Sequence, residues 1–141
     1  MPLMYYPSAG EILLCDYTTG FIEPEMVKLR PVLVVSPRLR RRAELVAVIP
    51  LSTTAPNNVE PHHCELTLAQ PLPPPFDTQT MWAKCDMLAT IALARLDRFK
   101  AGRREGKRIY LSGHVDRHQL AAVRRAILCG LGMSELTIHI P

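Results

Sequence analysis

Two phrases of this sequence set charged and hydroxylated side chains beside prolines, where the backbone is stiff enough to aim them. The first is Lys28-Leu29-Arg30-Pro31-Val32-Leu33-Val34-Val35-Ser36-Pro37. Proline fixes its own φ and keeps the residue before it extended, so Arg30 stands at the mouth of a rigid strand. A guanidinium held in this way suits a phosphate, because its planar fork donates two parallel charge-assisted hydrogen bonds. The plainer reading is an exposed arginine at a strand end. The second phrase, Val48-Ile49-Pro50-Leu51-Ser52-Thr53-Thr54, closes another β-rich run in hydroxyls. If the two runs form a hairpin around the intervening RLRRR segment, the start of the first lies beside the end of the second. Arg30 then converges with Ser52 or Thr53 on one anion, a phosphoryl or phosphodiester group rather than a carboxylate. The alternative for the hydroxyls is a polar turn.

The elements that would position this pair are short strands. Gly10 to Tyr17 (GEILLCDY) reads as the first, Pro31 to Ser36 as a buried central strand, and Leu45 to Leu51 as its partner. Pro50 has no N–H for a ladder, so the partner strand is expected to end or bulge there. His63 to Leu68 alternates weakly, and Gln70 to Thr80 is a proline-rich extended loop. In Met81 to Met87 (MWAKCDM), Met81, Ala83, Cys85 and Met87 share one face, and Trp82, Lys84 and Asp86 the other. Arg95 to Phe99 reads as a short helical turn and Lys107 to Leu111 as a last strand. A helix runs from Asp116 to about Leu131, with Asp116 and Gln119 spaced as a capping box and Leu120, Val123, Ile127 and Leu131 at helical spacing. Gly130 or Gly132 would close it. The sum is a mainly β architecture, a small β-barrel with one C-terminal helix.

Length and composition bound the reading. The chain has 141 residues, a single domain's worth, spanning 1–141. Its 48% hydrophobic and 21% charged residues exclude a disordered polar tract. Charge-free stretches are too short to cross a bilayer, and the N-terminus has no signal-peptide pattern, so a soluble cytoplasmic domain is expected. Net charge is +4, and its distribution is uneven. Met1 to Val27 holds acids and no base, whereas Lys28, Arg30, Arg38, Arg40, Arg41 and Arg42 follow with no acid among them. Arg95 to Arg108 holds seven bases against Asp97 and Glu105. If these stretches meet they make a phosphate-attracting surface; otherwise they are solvated loops. Cys15, Cys64, Cys85 and Cys129 are widely spaced and read as reduced thiols in a reducing compartment. His62, His63 and Cys64 are poor metal ligands as a set, because neighbours on an extended chain point to opposite faces.

Taken in order, GEILLCDY, GFIEPEMVKLRPVLVVSP, VIPLSTT and WAKCDMLATIALARLDRF, from about Gly10 to Phe99, resemble the PemK/MazF family of toxin endoribonucleases of bacterial toxin–antitoxin systems. The acidic-then-KxRP loop resembles the PemK-like branch. The resemblance implies an SH3-like barrel of the CcdB/MazF type, a homodimer, and cleavage of single-stranded RNA (mRNA) with no metal and no cofactor. It further implies inhibition by a cognate antitoxin protein bound across the substrate groove, and contact with DNA only through an antitoxin complex. In the family, the arginine before the strand proline and a hydroxyl after the strand-ending proline form the catalytic pair. Here these are Arg30 and Ser52, with Thr53 beside it; Ser52 stands where relatives often carry threonine. Glu25 falls near a family acidic position, although the loop from Phe21 to Leu29 departs from the better-known MazF loop. Asp86 matches a family aspartate with a structural or substrate-orienting role. With Lys28, Arg38, Arg40, Arg41, Arg42 and Lys84, it makes up the expected RNA-binding set.

RNA cleavage without a metal uses the ribose 2′-OH as nucleophile and leaves a 2′,3′-cyclic phosphate and a 5′-OH. The enzyme must help remove one proton, stabilise the extra charge on the phosphorane and help protonate the leaving oxygen. Arg30 suits charge stabilisation and not base catalysis, since a guanidinium stays protonated. Ser52 suits hydrogen-bond donation, and Glu25 the base. The five histidines, His62, His63, His114, His118 and His139, read as surface or capping residues, with substrate contact by His62 or His63 the lesser alternative; Trp82 reads as core or interface packing, with base stacking the lesser alternative. A non-enzymatic toxin of the same fold acting on a protein such as DNA gyrase, and a catalytically decayed RNA-binding module, stand as alternatives; Arg30 together with Ser52 favours the nuclease.

Overall fold

The apolar runs fold as antiparallel strands, and the runs without polar alternation become strands covered on both faces. The structure is a computed structural model describing residues 3–141. Its strands are β1 (Glu11–Asp16), β2 (Leu29–Val34), β3 (Leu45–Ser52), β4 (His63–Thr67), β5 (Thr80–Lys84), β6 (Ala89–Ala92), β7 (Leu96–Asp97), β8 (Phe99–Arg104), β9 (Lys107–Leu111) and β10 (Gly113–His114), followed by helix α1 (Arg117–Gly130). The main sheet runs β10-β1-β2-β3-β5-β4; β6 also pairs with β3 and β7 also pairs with β1. β1 and β3 thus each carry two partners along one edge, which curls the sheet.

Alternation along β1–β3 sends side chains into two clusters. Ile12, Leu33 and Ile49 face one, with Leu66, Met81, Phe99, Val123 and Ala126; Leu13, Val32, Val34 and Val48 face the other, with Tyr17, Ile91 and Leu96. This is why Pro31–Val35 carries no polar alternation: a strand buried on both faces needs none. Helix α1 covers the first cluster. Asp116 accepts from the Gln119 N–H (2.8 Å), Gln119 Oε1 accepts from the Asp116 N–H (3.1 Å), and Gln119 Nε2 donates to the Thr67 carbonyl (2.8 Å), tying the capped end to β4. Gly132, at φ 75°, closes the helix; its N–H bonds to the Cys129 carbonyl and that of Met133 to the Leu128 carbonyl, a Schellman arrangement. Among the described residues no helix is long and apolar enough to cross a membrane.

Three local expectations need correction. β3 neither ends nor bulges at Pro50 but continues to Ser52. Pro50 falls where β3 exchanges β6 for β5, between Val48 and Leu51, so no continuous ladder is broken on that edge. The alternation of Met81–Met87 stops at Lys84, and Cys85–Met87 turns as a 3₁₀ corner. The segment from Arg95 to Phe99 is not a helical turn: Leu93–Arg95 is the 3₁₀ element, and the chain then extends as β7 and β8.

Candidate active site

Both residues of the sequence-predicted pair stand at the open end of the β2–β3 hairpin. β2 and β3 pair Val32 with Pro50 and Leu33 with Ile49, and the same register continued by two residues sets Arg30 level with Ser52. Arg30 is also paired with Cys15 of β1, so its backbone is held from the other edge as well. Its Nε donates to the Val27 carbonyl (3.3 Å), which orients the guanidinium. Among the described residues no carboxylate pairs with it within 4.0 Å. Ser52 Oγ accepts the Thr54 N–H (3.1 Å) and donates to the Thr54 carbonyl (3.2 Å), so this hydroxyl is fixed by its own turn. Donation to an incoming phosphoryl oxygen would exchange the Thr54 carbonyl for the substrate.

A hollow of 580 Å³ is lined by Arg30, Lys84 and Met87 together with the loop residues Glu23–Val27. A second, of 380 Å³, is lined by Ser52, Thr54, His63, Lys84, Asp86 and Met87 among others. Lys84 and Met87 form a wall common to both. A third, of 360 Å³, adjoins them at Glu25, Met87 and Asp86. Arg30 and Ser52 therefore lie on neighbouring hollows that share the Lys84 and Met87 wall, with the carboxylates Glu23, Glu25 and Asp86 among their lining residues. The β1–β2 loop that carries Glu25 is closed at its base by the Tyr17 N–H on the Lys28 carbonyl (2.9 Å). Arg95 braces the loop by donating to the carbonyls of Asp16 and Thr19 and by lying 4.8 Å over the Phe21 ring. Glu25 Oε1 accepts the Ile22 N–H (2.9 Å). Asp86 is placed by the helix: a Cβ at Gly130 would stand 3.0 Å from the Asp86 Cα, so only glycine lets α1 come this close to the 3₁₀ corner.

The structure also sets His63 on the wall of the Ser52 hollow with His62 beside Asp86, the lesser of the two readings the sequence offered for them. His62 Nε2 lies 3.6 Å from Asp86 Oδ2, and the His62 and His63 rings pack with centroids 4.4 Å apart. His63 Nδ1 accepts the Glu60 N–H (2.9 Å), which leaves the neutral ring its proton on Nε2. The signal that could have found them is the pairing of β4 with β5, His63 opposite Lys84. The thiols behind the site are chemically quiet: burial pushes Cys15 and Cys85 up to about 12 and raises Cys64 as well.

Other predicted residues fall elsewhere. Thr53 is exposed and does not line the cleft. Lys28 turns the other way: with Leu29 it lines a groove of 760 Å³ shared with Arg95, Arg98 and Lys100 and with Asp16 and Asp97, so of the first basic stretch only Lys28 meets the second there. Arg38, Arg40, Arg41 and Arg42 occupy the closed end of the β2–β3 hairpin, where Leu39 bridges Arg42, and Arg40 and Arg41 form the tip. Seven residues, 31–37, separate even Arg38 from Arg30, on the order of 20 Å of extended chain.

Fold and site together define a class: a small curled antiparallel sheet with a C-terminal helix and an anion-directed cleft at the open end of its central hairpin. Residues 8–129 match the PemK-like, MazF-like toxins of type II toxin–antitoxin systems, and the chain belongs to that family. Protein YifN of Escherichia coli (strain K12) is 28% identical over 154 aligned residues, covering 96% of this chain and 99% of the relative. An uncharacterized Haemophilus influenzae protein is 29% identical, covering 92% and 93%. An endoribonuclease from a mycobacterial species shares the fold with a TM-score of 0.62 at 22% identity, over 93% of this chain and 96% of its own. MazF from Deinococcus radiodurans does so with a TM-score of 0.60 at 20% identity, over 92% and 99%. A mycobacterial endoribonuclease solved in complex with its cognate antitoxin gives a TM-score of 0.60 at 23% identity, over 90% and 96%.

Proposed function

We propose that this protein is the toxin of a type II toxin–antitoxin pair and cleaves single-stranded RNA. What supports the reading is that Arg30 and Ser52 fall level when the β2–β3 register is continued, on neighbouring hollows that share Lys84 and also carry Glu23, Glu25 and Asp86. In the reaction, the ribose 2′-oxygen bonds to phosphorus and the bond from phosphorus to the 5′-oxygen breaks. The 2′-OH proton passes to a base, and a proton is delivered to the departing 5′-oxygen. Arg30 stabilises the negative charge that builds on the phosphorane oxygens, and Lys84 adds to the field. Ser52 donates to a phosphoryl oxygen. Glu25 is the base: one carboxylate oxygen is anchored on the Ile22 N–H, and the side chain lines the Arg30 hollow. The products are a 2′,3′-cyclic phosphate and a 5′-OH.

The family membership and the fold shared with an endoribonuclease solved with its antitoxin support a cognate antitoxin as partner, covering this cleft to silence it. The toxin acts in the cytoplasm as a homodimer and meets DNA only through the antitoxin. The test is incubation of a long single-stranded RNA with the pure protein in EDTA, followed by end-group analysis. Cuts at a short recurrent motif leaving 5′-OH and 2′,3′-cyclic phosphate ends are expected. Intact RNA after exposure to folded protein would contradict the reading. Ser52→Ala should slow cleavage by about 10–150-fold, the worth of a hydrogen bond to a charged group, as measured by single-turnover rates on the same RNA.

A further inference from the structure

The chain leaves the main sheet after β7, runs out and back as the β8–β9 hairpin, and returns to β1 as β10, so the hairpin is a two-stranded ribbon of its own. Its base is fixed. Phe99 is buried and pairs with Leu111, Phe76 packs edge-on to Phe99 with centroids 6.2 Å apart, and the Arg98 guanidinium lies 4.8 Å over the Tyr110 ring. Beyond the base, residues 102–108 (GRREGKR) are exposed and hold no apolar side chain. The turn at Glu105 and Gly106, both at positive φ, closes the ribbon tightly.

The cross-strand pairing is unusual in charge. Arg103 stands opposite Arg108, and Arg104 opposite Lys107. Like charges set directly opposite one another destabilise a ladder, and two such pairs in succession disfavour the folded ribbon. Among the described residues none of the four has a carboxylate within 4.0 Å; Arg103 donates only to the Gly106 carbonyl, at 3.5 Å. Strand alternation puts the Arg103–Arg108 pair on one face of the ribbon and the Arg104–Lys107 pair on the other.

We propose that this ribbon is a second RNA-contacting element, binding the sugar–phosphate backbone of the strand outside the cleavage cleft. The inference rests on the endoribonuclease reading for its substrate. A docking protein would need an apolar centre to its interface, which residues 102–108 lack. A polyphosphate needs none, since its binding comes from charge neutralisation and counterion release. Cations on both faces suit a chain that wraps the ribbon better than a flat partner. The 760 Å³ groove at the foot of the ribbon adds Lys28, Arg95, Arg98 and Lys100, set beside Asp16, Asp97 and the apolar segment from Pro73 to Phe76.

The test uses the full chain and RNA made uncleavable by 2′-O-methylation, in lengths of 6 and 20 nucleotides, with affinity measured across a salt series. Replacing Arg103, Arg104, Lys107 and Arg108 together by alanine should weaken binding of the longer RNA and leave the shorter unaffected. The slope of log affinity against log salt should fall by about 3, at roughly 0.7 per phosphate on a single strand, so the advantage of the wild type shrinks about fifty-fold between 50 and 200 mM salt. A variant carrying lysine at Arg103, Arg104 and Arg108 keeps the charges and should keep the slope, which separates charge from folding. Unchanged affinity and slope for the longer RNA would overturn the proposal. So would a ribbon variant that binds RNA normally and has lost its antitoxin. Hairpin-dependent binding of RNA by a protein that cleaves none would contradict the nuclease reading and uphold the ribbon's role.

Discussion

The β2–β3 hairpin buries its strands on both faces, whereas the β8–β9 hairpin is covered only at its foot. Val32, Leu33 and Val34 are each 0% exposed and divide between two clusters, so neither strand of the first hairpin can shift without disturbing a core. The chemistry proposed for the open end of such a hairpin would inherit that rigidity, since Arg30 and Ser52 continue a register fixed by Val32–Val34 and Val48–Pro50. The second hairpin gives up burial and carries like charges face to face. Long-range attraction to a polyanion works over about 8–10 Å at physiological salt and does not need sub-ångström placement. Cleavage demands a fixed geometry and capture of a strand does not, and the two proposed roles divide between the hairpins along that line.

Removing packing from the first hairpin should have the largest effect on stability. Leu33→Ala is expected to cost about 2–5 kcal/mol, read from urea unfolding; a loss under 1 kcal/mol would mean the hairpin is less tightly held than its burial indicates. Next comes the helix contact that sets the cleft's far wall. An alanine in mid-helix normally stabilises relative to glycine, but Gly130→Ala would press a methyl against the Asp86 backbone and should cost about 1–3 kcal/mol of stability. Cleavage should fall with it as Asp86 moves. A more stable and fully active variant would show that the helix does not position the corner. The smallest effect sharpens the contrast from the other side. Arg108→Glu sets opposite charges across the ribbon from Arg103 and should raise stability by about 0.2–1 kcal/mol in thermal melts while weakening RNA binding.

Much of the first hairpin was legible in the sequence, because its determinants are local. Pro31 fixes the strand entry, the unbroken apolar run signals burial on both faces, and a single hairpin connection sets Arg30 beside Ser52. The same geometry carried a consequence for the basic residues 38–42. A hairpin has two ends, and a loop joining the strands must lie at the one away from the pair. What escaped the sequence depends on contacts distant along the chain. Met81–Met87 alternates as a strand would, yet the chain turns at Cys85, where α1 packs against it through Gly130. His62 and His63 reach the cleft only because β4 pairs with β5, and no local pattern in Pro61-His62-His63-Cys64 announces that pairing. Pro50 misleads in the opposite sense: its missing N–H ends a strand in isolation, and here falls where the strand changes partners.

The most direct test of the central claim is the single-turnover rate of cleavage of a long single-stranded RNA in EDTA by wild type and by Arg30→Ala, with folding of both verified by thermal melting. Losing a preorganised charge donor should slow the cut by about 100–1000-fold, with the melting curve unchanged. An Arg30→Ala protein that cleaves as fast as wild type would show that the β2–β3 end is not where the reaction occurs.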